Sequence, residues 1–192
     1  SEMRALRAQI NPHFLYNSLS LINWKAIEYG QDDISGITLA LSNYYRTSLN
    51  KGKNTLTVKQ ELSNMESYLN IQQIMHDNSF DVVMDIDENV LEYESLNLIL
   101  QPLVENAIEH GIDLLTDRRG VITVAAKLYN GLIHIDVKDN GIGMPKETAH
   151  TFLTSESGGY GARNVNDRIR LFYGEQYNLK VSSDENGTVI TI

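Results

Sequence analysis

The residues of this chain best suited to chemistry lie in two segments, Leu103-Val104-Glu105-Asn106-Ala107-Ile108-Glu109-His110-Gly111 and Asp139-Asn140-Gly141-Ile142-Gly143-Met144. Leu96, Ile99, Leu100, Leu103, Val104, Ala107 and Ile108 fall at i, i+3, i+4 and i+7, so the first segment reads as part of a helix closed by Gly111. The same geometry puts Glu105, Asn106, Glu109 and His110 on the opposite face. A carboxamide oxygen there suits magnesium, a hard ion that takes few protein ligands beside phosphate and water. Asn106 is thus the candidate metal ligand, Glu105 a candidate for orienting a metal-bound water, and His110 a candidate for approaching phosphates. A solvated polar helix face accounts for the same residues, and this segment alone does not choose.

Asp139 falls where the alternation of Ile133, Ile135 and Val137 against His134, Asp136 and Lys138 stops, at the end of a strand. A carboxylate in that place accepts from the exocyclic amine of adenine, whereas guanine presents an oxygen and leaves two acceptors facing each other. Gly141 and Gly143 allow the backbone closer to a ligand than side-chain-bearing residues do. The plainer reading is a strand-capping turn. Gly158-Gly159-Tyr160-Gly161-Ala162 leads into a helix over 163–173, which offers backbone amides and a helix N-terminus to phosphate oxygens. A surface loop is the alternative there. The stretch from Pro145 to Gly158, rich in Ser, Thr and Gly, suits a lid that orders over a nucleotide.

Far upstream, His13 and Asn17 share one helical face beside Pro12, whose missing amide favours a bend that exposes a side chain. Neutral imidazole keeps a free lone pair at neutral pH and is a competent nucleophile toward a phosphoryl group. A satisfied interface histidine is the bland reading. At i+4, Asn17 is also placed to position a water.

Met3, Leu6, Ile10, Phe14 and Leu21, then Ile34, Ile37, Leu41, Tyr44 and Leu49, predict two helices joined near Gly30. A lone hairpin of this size buries little, so its apolar stripe is expected to meet a second copy in a four-helix bundle. Residues 51–55 read as a linker, and Thr57-Val58-Lys59-Gln60 as a capping box opening the next helix. This divides the chain into residues 1–55, helical, and 56–192. In the latter, strands over 80–86, 121–128, 132–137, 179–183 and 188–192 interleave with helices, with turns at Tyr129-Asn130-Gly131 and Asn186-Gly187. The fold class is α+β, a helical hairpin followed by a two-layer sandwich with a mixed sheet.

With 25 acidic against 16 basic side chains the formal charge is −9, which argues against nucleic acid or an anionic membrane as partner. Cysteine is absent, which excludes disulfides and thiolate metal sites. No stretch approaches a spanning helix, so the chain reads as a soluble fragment, and its uncapped start suggests a longer natural protein.

Taken together, the chain resembles the cytoplasmic half of a sensor histidine kinase of the LytS/YesM-like group. The phosphoacceptor segment Gln9-Ile10-Asn11-Pro12-His13-Phe14-Leu15-Tyr16-Asn17 is complete. Leu100 to Ile108 with His110-Gly111 is similar to the N box, Asp139 to Gly143 to the G1 box, and Gly159 to Val165 with Arg168 to the G2 box, which contains Asn164. The resemblance implies a Bergerat-type (GHKL) ATP-binding fold shared with gyrase and Hsp90 ATPase domains, with ATP and Mg2+ as cofactors. It implies that Asn106 meets magnesium, Asp139 meets adenine, Gly159 and Gly161 are lid glycines, Thr188 supports the adenine pocket, and His13 is autophosphorylated. The expected partners are a response regulator receiver domain and a second copy of the chain. The expected setting is the cytoplasmic portion of a plasma-membrane sensor, with no membrane contact by this fragment itself. Two departures stand out. Phe14 follows the histidine where other groups carry an acid, which leaves the general base unassigned with Glu105 one possibility. Ala162 replaces the Leu or Ile usual after the second lid glycine, leaving less apolar anchorage. An ATP-switched interaction module without phosphotransfer, and a phosphatase of the regulator, are the alternatives.

Overall fold

The computed structural model describes residues 11–49, 53–154 and 160–192. Met3, Leu6 and Ile10, any bend before Pro12, and the glycines at 158 and 159 lie outside them. Helix α1 spans Pro12–Glu28. Asn11 caps it, its Oδ1 accepting from Phe14 N at 3.2 Å, and Pro12 stands where no amide is needed. The chain reverses at Gly30, with φ +66°, into α2, Asp32–Ser48. Phe14, Leu21, Trp24 and Ile27 remain exposed on α1, Trp24 by 70%, so none of the described residues of the chain covers this part of the hairpin's apolar stripe.

The expected linker overlaps a strand. Thr55–Thr57 forms β1, which pairs antiparallel with β3, Glu94–Leu96. The expected capping box follows: Gln60 N donates to Thr57 Oγ1 at 3.1 Å and Thr57 N to Gln60 Oε1 at 3.0 Å, opening α3, Val58–Met75. Strands β2 (Phe80–Ile86), β4 (Gly120–Tyr129), β5 (Leu132–Asp139), β6 (Lys180–Asp184) and β7 (Gly187–Thr191) make one sheet in the order β2-β4-β5-β7-β6. Only β2 and β4 run parallel, so the sheet is mixed. The β4–β5 turn places Asn130 and Gly131 at φ 50° and 77°, the left-handed pair that matches strand twist.

Buried residues alternate along β4 at Ile122, Val124 and Ala126, which gives the sheet one core face. Onto that face pack α3 through Leu62, Met65 and Leu69, α4 (Leu100–His110) through Leu103 and Val104, and α6 (Tyr160–Tyr173) through Val165 and Ile169. The result is the expected two-layer α/β sandwich. Helix α4 begins four residues later than its apolar spacing suggests. Leu96 belongs to β3, and Leu98 sits at φ 53°, which no helix accommodates. Leu96 and Ile99 are nonetheless buried, because periodicity registers burial rather than backbone bonding. Helix α6 starts three residues earlier than expected, at Tyr160, and a short helix α5, Lys146–Thr151, lies in the lid stretch. Among the described residues, no helix is long and apolar enough to cross a membrane.

Candidate functional site

The position of Asn106 depends on how α4 starts, and none of the residues before the helix offers a side-chain cap. The cap comes from another helix. Glu61 of α3, 1% exposed, accepts from Leu98 N at 2.9 Å through Oε2, and from Ile99 N at 2.7 Å and Leu100 N at 3.0 Å through Oε1. The amides orphaned at the helix N-terminus thus find a carboxylate supplied from across the fold. Burial pushes the Glu61 carboxyl up, opposed by the three amides and by the nearby Arg168. Arg168 of α6 closes the other side of the same turn, donating to Asn97 O at 2.7 Å and Asn97 Oδ1 at 3.0 Å. Arg168 therefore braces the start of α4.

Asn106 and His110, one turn apart on α4, face Asp139 at the end of β5 and Thr188 on β7 across one cleft. Leu103, Ala107, Val137, Met144, Phe152 and Ile190 complete the lining given by the described residues. An apolar slot with few polar groups is suited to a flat heterocycle. Asp139 Oδ1 accepts from Gly141 N at 2.8 Å, and the Thr188 amide also donates to the carboxylate. A carboxylate has about four acceptor directions, so capacity remains for a donor in the cleft. Burial, the largest influence, raises the Asp139 carboxyl above its ordinary value against the pull of the two amides.

Thr188 does not act alone. Its hydroxyl lies 2.8 Å from that of Ser183, directly opposite on β6, and Ser183 Oγ accepts from Met144 N at 2.8 Å. The end of the glycine loop is thereby tied to the sheet. The loop's glycines are required by close approach. A Cβ on Gly141 would overlap Gly111 at the end of α4 and lie 2.7 Å from Asp139 Oδ1, and one on Gly143, at φ +71°, would overlap Asp184 O. Gly141 and Gly111 thus let the helix end and the loop pass in contact, which brings Asp139 beside α4. Asn140 reaches back to β4, its Oδ1 accepting from Val121 N at 2.7 Å. Arg118 clamps the loop by donating to Asn140 O at 3.0 Å and Gly141 O at 2.9 Å.

The remaining sequence candidates separate. Glu105 is not among the described residues lining the cleft; it accepts from Gln101 Nε2 at 2.8 Å, on the side of α3. Asn164 is exposed on α6 and does not line the cleft either. A Cβ on Gly161 would meet Pro102 Cβ at 3.2 Å, so this glycine lets α6 pack on α4. Gly159 lies outside the described residues. Ala162 is fully buried in the core between α6 and its neighbours. His13 is exposed at the start of α1, its Nδ1 3.4 Å from Asn17 Nδ2.

Residues 92–192 match the model of the histidine kinase-, DNA gyrase B- and HSP90-like ATPases, and residues 1–80 the histidine kinase model. The chain belongs to this ATPase family. Sensor histidine kinase YesM of Bacillus subtilis is 39% identical over 194 residues, covering all of this chain and 33% of that protein. Sensor protein LytS of Staphylococcus saprophyticus is 34% identical over 197 residues, again all of this chain and 33% of its own length. The chain thus spans about a third of these relatives. Among solved structures, the histidine kinase domain of the Erythrobacter litoralis EL346 blue-light activated kinase superposes with a TM-score of 0.55 at 18% identity, covering 93% of each chain. Histidine kinase ThkA in complex with the response regulator TrrA gives 0.54 at 17%, covering all of this chain and 60% of that one. Both likenesses are of fold, and they take in the helical hairpin as well as the ATPase domain.

Glu61, Ser183, Arg118 and Phe152 are the residues of this ATPase site that sequence reasoning missed. Ser183 had a signal, since the hairpin around Asn186-Gly187 puts it opposite Thr188. Phe152 had one too, as an isolated aromatic in a polar lid stretch. Glu61 and Arg118 had none, because their partners are backbone atoms 37 and 22 residues away.

Proposed function

We propose that this chain is the kinase portion of a two-component sensor, residues 1–55 carrying the phosphoacceptor hairpin and residues 56–192 the ATP-binding domain. The observation that carries this reading is the meeting of Asn106, His110, Asp139 and Thr188 around one cleft, on a chain that bears an exposed histidine on its own helical hairpin. Adenine enters the apolar slot and donates its exocyclic amine to Asp139, with Thr188 and Ser183 holding that wall. Gly159, Gly161 and Asn164 are assigned to nucleotide binding from the lid side of the site, and His110 of α4 approaches the phosphates.

The donor set fits magnesium: one carboxamide oxygen, Asn106, faces the cleft without a cage of carboxylates, as suits an ion that arrives on nucleotide phosphates. Bound there, the ion neutralises charge on the phosphoryl groups. His13 supplies the nucleophile: a nitrogen–phosphorus bond forms as the bond to the ADP oxygen breaks, and the imidazole proton passes to a base, for which Glu105 is the candidate. Asn17 orients the ring. With its carboxamide oxygen turned toward Nδ1–H, the Nε2 lone pair faces outward. The phosphoryl group then passes to an aspartate of a response regulator receiver domain. The exposed stripe of Phe14, Leu21, Trp24 and Ile27 pairs with a second copy to complete a four-helix bundle. The natural protein places this portion on the cytoplasmic side of a plasma-membrane sensor.

Incubation with γ-labelled ATP and magnesium tests the reading. Acid-labile, alkali-stable label on the wild-type chain, lost in His13→Gln, is the expected result. Binding of ATP by calorimetry without such label would overturn phosphotransfer in favour of an ATP-switched interaction module.

A further inference from the structure

Glu105 is turned away from the cleft by a chain of hydrogen bonds that begins on the hairpin. Tyr44 Oη of α2 donates to Gln101 Oε1 at 2.7 Å, and Gln101 Nε2 donates to Glu105 Oε1 at 2.8 Å. Tyr68 of α3 also hydrogen-bonds Glu105. A carboxylate only accepts, so the amide end of Gln101 faces Glu105 and its carbonyl end receives the Tyr44 phenol proton. The orientation of Glu105 is thus shared between Tyr68 of its own domain and, through Gln101, Tyr44 of the hairpin.

Beside the ring contact of Tyr44 with Tyr68, the same interface carries several polar side-chain pairs. Asn43 Nδ2 donates to Ser63 Oγ at 3.0 Å and Ser67 Oγ at 2.7 Å, and Asn64 Nδ2 to Thr47 Oγ1 at 2.7 Å and Ser48 Oγ at 2.9 Å. Water replaces such bonds when helices part, so α2 leaves α3 at lower cost than an apolar seam would exact. When it leaves, Gln101 loses the partner that fixes it.

We propose that Tyr44 and Gln101 form a clasp that, with Tyr68, holds Glu105 away from the nucleotide cleft while α2 is docked on α3, and that parting of the helices removes the Tyr44–Gln101 half of this restraint and lets Glu105 swing toward the cleft more often. Gln101 is then a positioning residue acting through Glu105, and the posture of the hairpin sets the availability of the carboxylate beside the magnesium asparagine. The inference rests on the kinase reading above for its rate effect, and on geometry alone for the clasp.

The test compares wild type, Tyr44→Phe, Glu105→Gln and the double variant for phosphohistidine formation at saturating ATP, with nucleotide affinity measured by calorimetry. Tyr44→Phe keeps the ring and removes one neutral hydrogen bond, so the saturating rate should rise roughly two- to tenfold with affinity unchanged. In the Glu105→Gln background the same substitution should have no effect. An unchanged or lowered rate in Tyr44→Phe, or a gain that persists with Glu105→Gln, overturns the proposal. Hydrogen exchange of the α2 amides reads the clasp without any label. Faster exchange in both Tyr44→Phe and Gln101→Leu supports it, and exchange equal to wild type overturns it. Should no variant label, the kinase reading falls while exchange still decides the clasp.

Discussion

Removing the Glu61 side chain should damage the ATP-binding domain more than any exposed charge could. In Glu61→Ala the amides of Leu98, Ile99 and Leu100 lose their acceptor together, in a place with 1% exposure where water cannot replace it. Arg168 loses a nearby opposite charge at the same time. One unsatisfied buried donor costs about 1–3 kcal/mol. Removing one member of a buried ionic group costs about 3–5 kcal/mol. Because the Leu98–Leu100 turn relaxes as a unit, the three amide penalties do not add in full, and a loss of about 3–5 kcal/mol is expected. Glu61→Gln separates the charge from the acceptor. Its carbonyl oxygen keeps Ile99 and Leu100, but its NH2 then faces the Leu98 amide, donor against donor, for a loss of about 1–3 kcal/mol.

Urea unfolding of the nucleotide-free chain followed by circular dichroism should therefore rank wild type above Gln and Gln above Ala. Calorimetry should show weaker nucleotide binding in the same order, since a slack first turn of α4 shifts Asn106 on the second. An Ala variant within about 0.5 kcal/mol of wild type, the usual range of a neutral surface change, would refute the capping argument. A Gln variant more stable than wild type would refute it differently, by showing that the cost of burying the charge exceeds what three amides and Arg168 return.

Three further outcomes follow from the site. Gly141→Ala sets a methyl against Gly111 and 2.7 Å from Asp139 Oδ1, so it should cost about 1–3 kcal/mol or more in urea unfolding and abolish measurable nucleotide binding by calorimetry. Burial raises the Asp139 carboxyl above its ordinary value, so protonation takes away its acceptor at a higher pH than for a free carboxylate. Nucleotide affinity should weaken on acidification between that raised value and the ordinary one, while the same group makes the nucleotide-free fold relatively more stable there, because the native state holds the proton more tightly. A calorimetric series against pH checks this, and the binding of Asp139→Asn should be flat over the same window. Arg118→Ala removes the clamp on Asn140 O and Gly141 O, and should weaken nucleotide binding several-fold, by about 1–1.5 kcal/mol, while the unfolding midpoint changes little.

How much of this was legible in the sequence divides along the range of the interactions. Elements fixed by neighbours in the chain were readable: the Thr57–Gln60 capping box, the Asn130-Gly131 turn and the strand ending at Asp139 all occur where local chemistry puts them. The start of α4 was not, since Leu96 and Ile99 continue the apolar rhythm although Leu98 breaks the helix with a positive φ. That break is stabilised by Glu61 and Arg168, which come from other helices and leave no periodic trace. Of the candidate site residues, Asn106, His110, Asp139 and Thr188 meet at the cleft because two of them share a helix face and two share a strand pair in register. The direction in which Glu105 points was not legible, because spacing on a helix fixes a side chain's sector but not the partner that claims it.

That difference bears on how the hairpin and the nucleotide domain communicate. Asn106 and Glu105 are adjacent in sequence, yet one faces the cleft and the other is held toward α3 and, through Gln101, toward α2. Glu61 holds the start of α4 from α3, and Tyr44 reaches the next residue of the same turn, Gln101, from α2. Helix α4 is therefore gripped at its first turn by α3 and α2, while its end at Gly111 meets the glycine loop at Gly141. A displacement of α2 alters the grip at one end of an 11-residue helix whose other end borders the loop that carries Asp139. Movement in the hairpin is thus expressed first in the carboxylate beside Asn106 and only secondarily in Asp139, so a signal arriving through the hairpin should alter the rate of phosphoryl transfer more than the affinity for nucleotide.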